Sequence, residues 1–399
     1  MTPGFNIADY HDLQPSTRVL MGPGPSDVPP RVLRAMAAPT LGHLDPEFLE
    51  LMSETQELLR AVFKTANPLT IPVSGTGSAG MEACFVNLIE PGDQVTIVVN
   101  GVFGTRMVDC AGRLGADVMP IEAEWGRAVS AEAVEEALAG RQPKIFAFVH
   151  AETSTGVCQP VTDIVALAKA TGALVLMDCV TSLAGVDVAL DAWGIDASFS
   201  GTQKCLSCPP GLAPLSFNEE SVAKLQARKG KVPSWYLDLT MVGDYWGASR
   251  KYHHTAPVNM IYALREALRI ILEEGLEARF ARHLLNHNAL VAGVEAMGLR
   301  MQVPLEERLP TLNLVGIPEG ADDLVARKAL LIQYGLEIGA GLGPLAGKVW
   351  RVGLQGHSAT ERNVMLFLTA LGSVLQTQGV GVRPAEATAA AQAVYGAAR

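Results

Sequence analysis

The chain has 399 residues, more than one hydrophobic core usually holds, so two domains are expected, and its 49% hydrophobic content supports a large buried interior. A formal net charge of −10 argues against a nucleic-acid or anionic-membrane surface, since both need clustered Lys and Arg. A small-molecule partner is expected instead.

The opening segment Met1-Thr2-Pro3-Gly4-Phe5-Asn6 lacks the basic and then apolar pattern of a secretion signal, and no apolar run approaches the roughly 20 residues of a membrane span. A soluble, cytoplasmic protein is the expectation. The six cysteines are scattered through apolar segments and fit reduced, buried thiols. Cys205 and Cys208 form a C-x-x-C, but no second pair at metal-ligand spacing accompanies it.

From residue 68 to 217, short apolar runs at 69–73, 95–99, 145–149, 174–177, 197–199 and 212–217 alternate with helical stretches such as 81–89, 131–138 and 164–170. This alternation predicts a mostly parallel sheet covered by helices. Gly92, Gly115 and Gly172 supply turns before strands. After Pro257 the periodicity turns helical over 260–274 and 276–297. A smaller α+β domain follows, with strands expected at 300–302, 311–315 and 350–353. The division is an N-terminal arm at 1–16, a large domain at 17–274, a small domain at 275–380 and a tail at 381–399. The Ala-rich tail is expected as a surface helix or a disordered end.

Open α/β sheets bind ligands outside the carboxyl ends of their strands. The run 174–177 delivers Asp178 to that place, and the run 197–199 leads through Ser200-Gly201-Thr202-Gln203 to Lys204. A carboxylate and an amine at one crevice are what pyridoxal phosphate (PLP) requires. The amine forms a Schiff base with the cofactor, and the carboxylate keeps the pyridine nitrogen protonated. The plainer readings are a helix-capping Asp178 and a solvated Lys204.

Ser74-Gly75-Thr76-Gly77-Ser78-Ala79-Gly80 joins a strand to a helix with small residues, which suits a phosphate. It also reads G-x-G-x-x-G, the dinucleotide fingerprint, yet the next strand ends in Asn100-Gly101 and not in the acidic residue that would hold a ribose. Phe103, just past that strand, is placed to stack on a planar ring or to anchor a loop. The hydroxyls of Thr153 and its neighbours suit a ring oxygen or a turn. Arg351 offers the planar fork that pairs with a carboxylate, or else a structural salt bridge. Tyr252-His253-His254-Thr255 reads as a polar recognition loop, because no third metal ligand is evident.

Together these segments, with Met21-Gly22-Pro23-Gly24-Pro25 and Trp350-Arg351-Val352-Gly353, resemble the class V branch of fold-type I PLP enzymes over nearly the whole chain. The likeness is to the alanine-glyoxylate and serine-glyoxylate aminotransferases. It implies an α/β large domain with a mostly parallel seven-stranded sheet, plus a smaller C-terminal α+β domain. It implies Lys204 as the cofactor's carrier, Asp178 at the pyridine nitrogen, and Val180 and Phe103 on opposite ring faces. Thr153 is implied at the ring hydroxyl. Thr76, Gly77, Ser78 and Gln203 are implied at the phosphate, joined by Tyr252 and Thr255 from a partner subunit of a homodimer. Gly24 and Arg351 are implied at the substrate.

Cysteine desulfurases resemble the chain less, because they place histidine where Gln203 stands. The ureidoglycine-glyoxylate aminotransferases resemble it in 201–207 and 238–241, but carry Gln where His43 stands and Asn where Tyr252 stands. The expected reaction is transamination between alanine or serine and glyoxylate or another small 2-oxo acid. Ureidoglycine is the alternative donor, and a non-catalytic PLP-binding protein is the alternative of another class.

Overall fold

The computed structural model of the chain describes Gly4 and residues 6–399. Met1, Thr2, Pro3 and Phe5, part of the expected arm and of the segment read for a secretion signal, lie outside the described residues.

The alternating runs form one seven-stranded sheet: β1 (Leu69–Ser74), β2 (Gln94–Val99), β3 (Asp117–Glu122), β4 (Ile145–Val149), β5 (Leu174–Asp178), β6 (Ala197–Phe199) and β7 (Leu212–Phe217). Their spatial order is β1-β7-β6-β5-β4-β2-β3. Only β7 is antiparallel to its neighbours, and the other pairings are parallel. The central strands β4 and β5 are buried throughout, which is why they read as unbroken apolar runs with no alternation. Strand β3 escapes the sequence reading. It sits at the sheet edge, carries Pro120 and buries only Ile121, and an edge is where a strand tolerates proline.

Helices α1 (Pro46–Phe63), α2 (Gly77–Leu88), α3 (Val102–Arg113) and α4 (Val258–Glu274) join the sheet in one hydrophobic cluster. The helix expected from residue 81 starts four residues earlier, at Gly77, directly against the small-residue loop. A second cluster forms around α5 (Leu276–Met297), α6 (Glu361–Thr377) and α7 (Pro384–Ala397), packed on a three-stranded antiparallel sheet. That sheet contains β8 (Leu312–Gly316), β9 (Gly339–Ala340) and β10 (Val349–Gly353), with β10 in the middle. The strand expected at 300–302 reduces to a single bridge between Met301 and Val315.

The tail is helical over α7, and its small residues are what bring it in. Ala387, Ala391 and Tyr395 are buried, and the Tyr395 hydroxyl donates to Asn286 Oδ1 at 2.7 Å. A Cβ on Gly293 of α5 would lie 2.3 Å from Leu368 and 3.0 Å from the carbonyl of Ala387, so the three helices meet almost backbone to backbone.

The segment 19–27 ties the two clusters together. Val19 and Leu20 pair in parallel with Leu336 and Glu337, and the N–H of Gly353 donates to the carbonyl of Met21. Ser26 then donates through its N–H to the carbonyl of Gln203 and through its hydroxyl to that of Lys204, while the N–H of Asp27 reaches Ser358 Oγ.

Candidate active site

Five strand ends converge on one cavity of about 590 Å³, a figure that includes its open mouth. Thr76, Gly77 and Ser78 enter it from the loop after β1, Phe103 from the start of α3, and Thr153 from the turn after β4. Asp178 and Val180 come from the end of β5, and Gln203 and Lys204 from the loop after β6. All nine are residues that the sequence singles out.

Asp178 is 5% exposed, and its Oδ1 accepts from the N–H of Val180 at 2.8 Å. Residues 180–185 form turns and not a helix, so the capping alternative falls away. Burial is the main cause that pushes its carboxyl up to about 7, and the nearby Glu152 adds to it against the pull of the Val180 N–H. The charges of Lys204 and Arg106 offset only part of this, and among the described residues Asp178 forms no ion pair.

Lys204 is 8% exposed, so it is not a solvated loop lysine. Its Nζ donates to the carbonyl of Pro23. Burial first and the positive charge of Arg351 second bring its ammonium down to about 8. Gly24 makes room for it: a Cβ there would stand 2.7 to 2.9 Å from Cδ, Nζ and Cε of Lys204, and φ is +115°.

Helix α2 begins at the cavity, and its N-cap Thr76 makes no side-chain cap bond. Its first turn therefore presents backbone N–H groups and the positive end of the helix dipole. Beside it, Gln203 Oε1 is buried without a hydrogen-bond partner. A Cβ on Gly77 would lie 3.2 Å from Val180 Cγ2, so the helix start and the β5 turn are in close contact. Thr153 Oγ1 lies 2.6 Å from Thr181 Oγ1.

Arg351 stands at the centre of β10. Strand alternation sends Trp350 and Val352 into the second hydrophobic cluster and leaves Arg351 on the opposite face. Its Nε donates to the carbonyl of Ala340 at 2.7 Å and its Nη1 to that of Thr153 at 3.3 Å. Among the described residues it forms no ion pair, so the salt-bridge alternative is not what holds it. Burial brings its guanidinium down to about 10, against the opposing charge of Glu152.

Tyr252 and Thr255 do not line the cavity. Tyr252 is 55% exposed and Thr255 is exposed, while His253 between them is buried and stacks on Trp235 at 4.4 Å. His254 Nε2 lies 3.2 Å from Ser74 Oγ, which brings the loop to the end of β1.

Arg106 was missed by the sequence reading and lines the cavity, 3.3 Å from Ser78 Oγ and 4.9 Å over the Phe103 ring. The available signal was its position one helical turn after Phe103.

The model of the family described as aminotransferase class-V matches residues 18–345. The (S)-ureidoglycine–glyoxylate transaminase of Bacillus subtilis (strain 168) is 42% identical over 396 residues, covering 95% of each chain. The alanine–glyoxylate aminotransferase of Drosophila melanogaster is 39% identical and covers 92% of this chain and 94% of its own length. A crystal structure of an alanine–glyoxylate aminotransferase from Nostoc sp. matches with a TM-score of 0.91 and 50% identity, over 93% of this chain and all of that one. A buried lysine and carboxylate at the carboxyl ends of a mostly parallel sheet, in a chain matched along nearly its whole length, place this protein in the class-V aminotransferases, which are PLP-dependent enzymes.

Proposed function

We propose that the enzyme moves an amino group from alanine or serine to glyoxylate or another small 2-oxo acid, with PLP carried on Lys204. The observation that carries this reading is the placement of Lys204 and Asp178, both more than nine-tenths buried, in one cavity with the charge of Arg351 acting on the lysine. Three features support the fit of PLP. Asp178 forms no ion pair among the described residues and would gain one from a protonated pyridine nitrogen, the first turn of α2 is open to a phosphate, and Gln203 Oε1 lacks a partner.

When bound, PLP supplies an electron sink for the carbanion formed at the donor's Cα. Asp178 holds the ring nitrogen in its charged form. The first turn of α2 and Gln203 hold the phosphate, Phe103 and Val180 bracket the ring, and Thr153 is directed to its hydroxyl. Once the donor's amine has taken its place on the cofactor, the freed Lys204 amine, neutral in part near neutral pH, would take the proton from Cα through Nζ and return it on the far side of the transferred nitrogen. Arg351 pairs with the α-carboxylate of donor and acceptor alike, and the backbone at Gly24 borders the same substrate.

The active unit in this proposal is a homodimer in which Tyr252 and Thr255 of one copy complete the phosphate site of the other. Exposed Trp235 (63%), Tyr236 and Tyr252 around the buried His253 support a covered face there. The division into a large domain ending at 274 and a small one from 275 is supported by the two hydrophobic clusters. A cytoplasmic location is supported by six free cysteines, five of them buried. Among the described residues no helix is long and apolar enough to cross a membrane.

Ureidoglycine remains the second donor, favoured by the 42% identity to the Bacillus subtilis enzyme. Against it, the His43 and Tyr252 rings pack 5.1 Å apart and form an aromatic pair where the ureidoglycine enzymes carry amides. The test is borohydride reduction with peptide mapping, followed by a panel of alanine, serine and ureidoglycine against glyoxylate and pyruvate. Cofactor fixed to Lys204 and turnover with alanine or serine are expected. Fixation elsewhere, or turnover with ureidoglycine alone, overturns the proposal.

A further inference from the structure

Helix α3 begins at Gly101 without a side-chain cap of its own. Its first amides are capped from another part of the chain. The N–H of Val102 donates to Ser154 Oγ at 2.9 Å, and those of Phe103 and Gly104 donate to Glu152 Oε2 at 3.1 and 3.3 Å. The other carboxylate oxygen, Oε1, accepts from the N–H of Ser154 at 3.0 Å and from its hydroxyl at 2.6 Å. Glu152 is completely buried, and among the described residues it forms no ion pair.

A buried carboxylate is costly unless its lone pairs are used, and here all four bonds go to one assembly. That assembly has a clear centre. Phe103 sits on the capped turn, Thr153 follows Glu152 directly, and Arg351 Nη1 binds the Thr153 carbonyl. Residue 101 is built around the carboxylate, since a Cβ there would fall 2.4 Å from Ser154 Oγ and 2.5 Å from Glu152 Cδ. A side chain at 101 and the cap are mutually exclusive. The negative charge also faces the positive end of the α3 dipole.

We propose that Glu152 is a positioning residue for the cofactor ring, acting through the backbone of residues 102–104 to hold the Phe103 side chain against the cavity. This rests on the reading that PLP occupies that cavity. Glu152 does not touch the reacting atoms; beside the charge it places near Asp178 and Arg351, its positioning effect passes through Phe103. An amide cannot replace it. Whichever way the Glu152→Gln side chain is turned, its NH₂ meets a backbone N–H, at Ser154 on one side or at Phe103 and Gly104 on the other.

The test is a double-mutant cycle on the full-length chain, titrating PLP into the cofactor-free protein, with the unfolding midpoint recorded for each variant. Glu152→Gln should weaken PLP binding by roughly tenfold to a hundredfold, the worth of a hydrogen bond to a charged group. In the Phe103→Ala background the same change should weaken it by less than about threefold, since the group through which Glu152 acts is gone. The midpoint should fall equally in both backgrounds. A purely structural carboxylate would give the same affinity loss in both, and that result, or no loss in the first background, overturns the proposal. If Glu152→Gln does not fold, Ser154→Ala, which removes the hydroxyl linking Val102 to the carboxylate, is run through the same cycle. A loss confined to the chain that keeps Phe103 supports the proposal, and any other pattern overturns it. Borohydride fixation to Lys204 is scored separately, so a failure of the cycle is distinguishable from a failure of the PLP assignment.

Discussion

Replacing Asp178 by asparagine should stabilise the cofactor-free protein while impairing the loaded enzyme. The carboxyl ionises at about 7 and not at its ordinary 3.8, chiefly because it is buried. The folded state therefore holds the proton more tightly than the unfolded chain, and between those two pH values stability falls as pH rises. Above about 7 the whole charging cost is present, about 4 kcal/mol at roughly 1.4 kcal/mol per pH unit. Asparagine has no charge to bury, and its Oδ1 still accepts from the N–H of Val180. For a chain of 399 residues such a gain raises the unfolding midpoint by roughly 5 °C. Thermal unfolding of cofactor-free wild type and Asp178→Asn, followed from pH 4 to pH 8, is the assay. The two midpoints should coincide near pH 4 and diverge toward pH 8, with the variant higher. Loading with PLP should reverse the order, because the pyridine nitrogen supplies the counter-charge that only the carboxylate can use. A midpoint difference that stays constant across the pH range would refute the argument.

Arg351→Lys keeps the charge and loses the planar fork, so it should lower kcat/KM by about tenfold to a hundredfold for every amino and oxo acid alike, a loss of about 1.5 to 3 kcal/mol. Steady-state kinetics that separate alanine from serine while leaving glyoxylate unchanged would make Arg351 a side-chain selector instead. Gly24→Ala places a methyl within 2.9 Å of three Lys204 atoms, and the flexible lysine is what must yield. Turnover and borohydride-fixed cofactor should both drop at least about tenfold; full occupancy with a displaced lysine would contradict this. Deleting residues 384–399 uncovers the helix contacts made by Ala387, Ala391 and Tyr395 and should cost at least about 3 kcal/mol in a denaturant titration. An unchanged midpoint would mean that α7 is dispensable.

The catalytic centre was legible because its logic is local. Asp178 ends an apolar run and Lys204 follows one, and strand-end geometry alone predicts that they meet. Burial, which decides between a working lysine and a solvated one, is not local and came only with the fold. Strand β3 was hidden because an edge strand needs neither alternation nor freedom from proline. The tail was hidden for a different reason. Alanine and glycine bury little surface each, and their value depends on Gly293 and Leu368 across the interface, about a hundred and about twenty residues away. The partners of Arg351 are backbone carbonyls, which carry no sequence signature. Tyr252 and Thr255 stay exposed and outside the cavity, so the role proposed for them rests on a second copy of the chain.

The segment 19–27 is made early and seated late. Its partners at Gln203 and Lys204 exist when about half of the protein is made, but Leu336, Glu337, Gly353 and Ser358 come much later, so a chain emerging from the ribosome cannot seat it fully until nearly nine-tenths of the protein exists. Such long-range closure is slow compared with the local pairing that builds helices. The sheet, by contrast, needs nothing beyond Phe217. A nascent chain will therefore carry a formed strand end with Asp178 and Lys204 well before the partners at 336–358 fix Pro23 and Gly24 against the lysine. Cofactor capture is in this way tied to completed synthesis, and a ribosome-bound chain halted short of residue 336 should leave Lys204 open to amine-reactive reagents that the finished protein excludes.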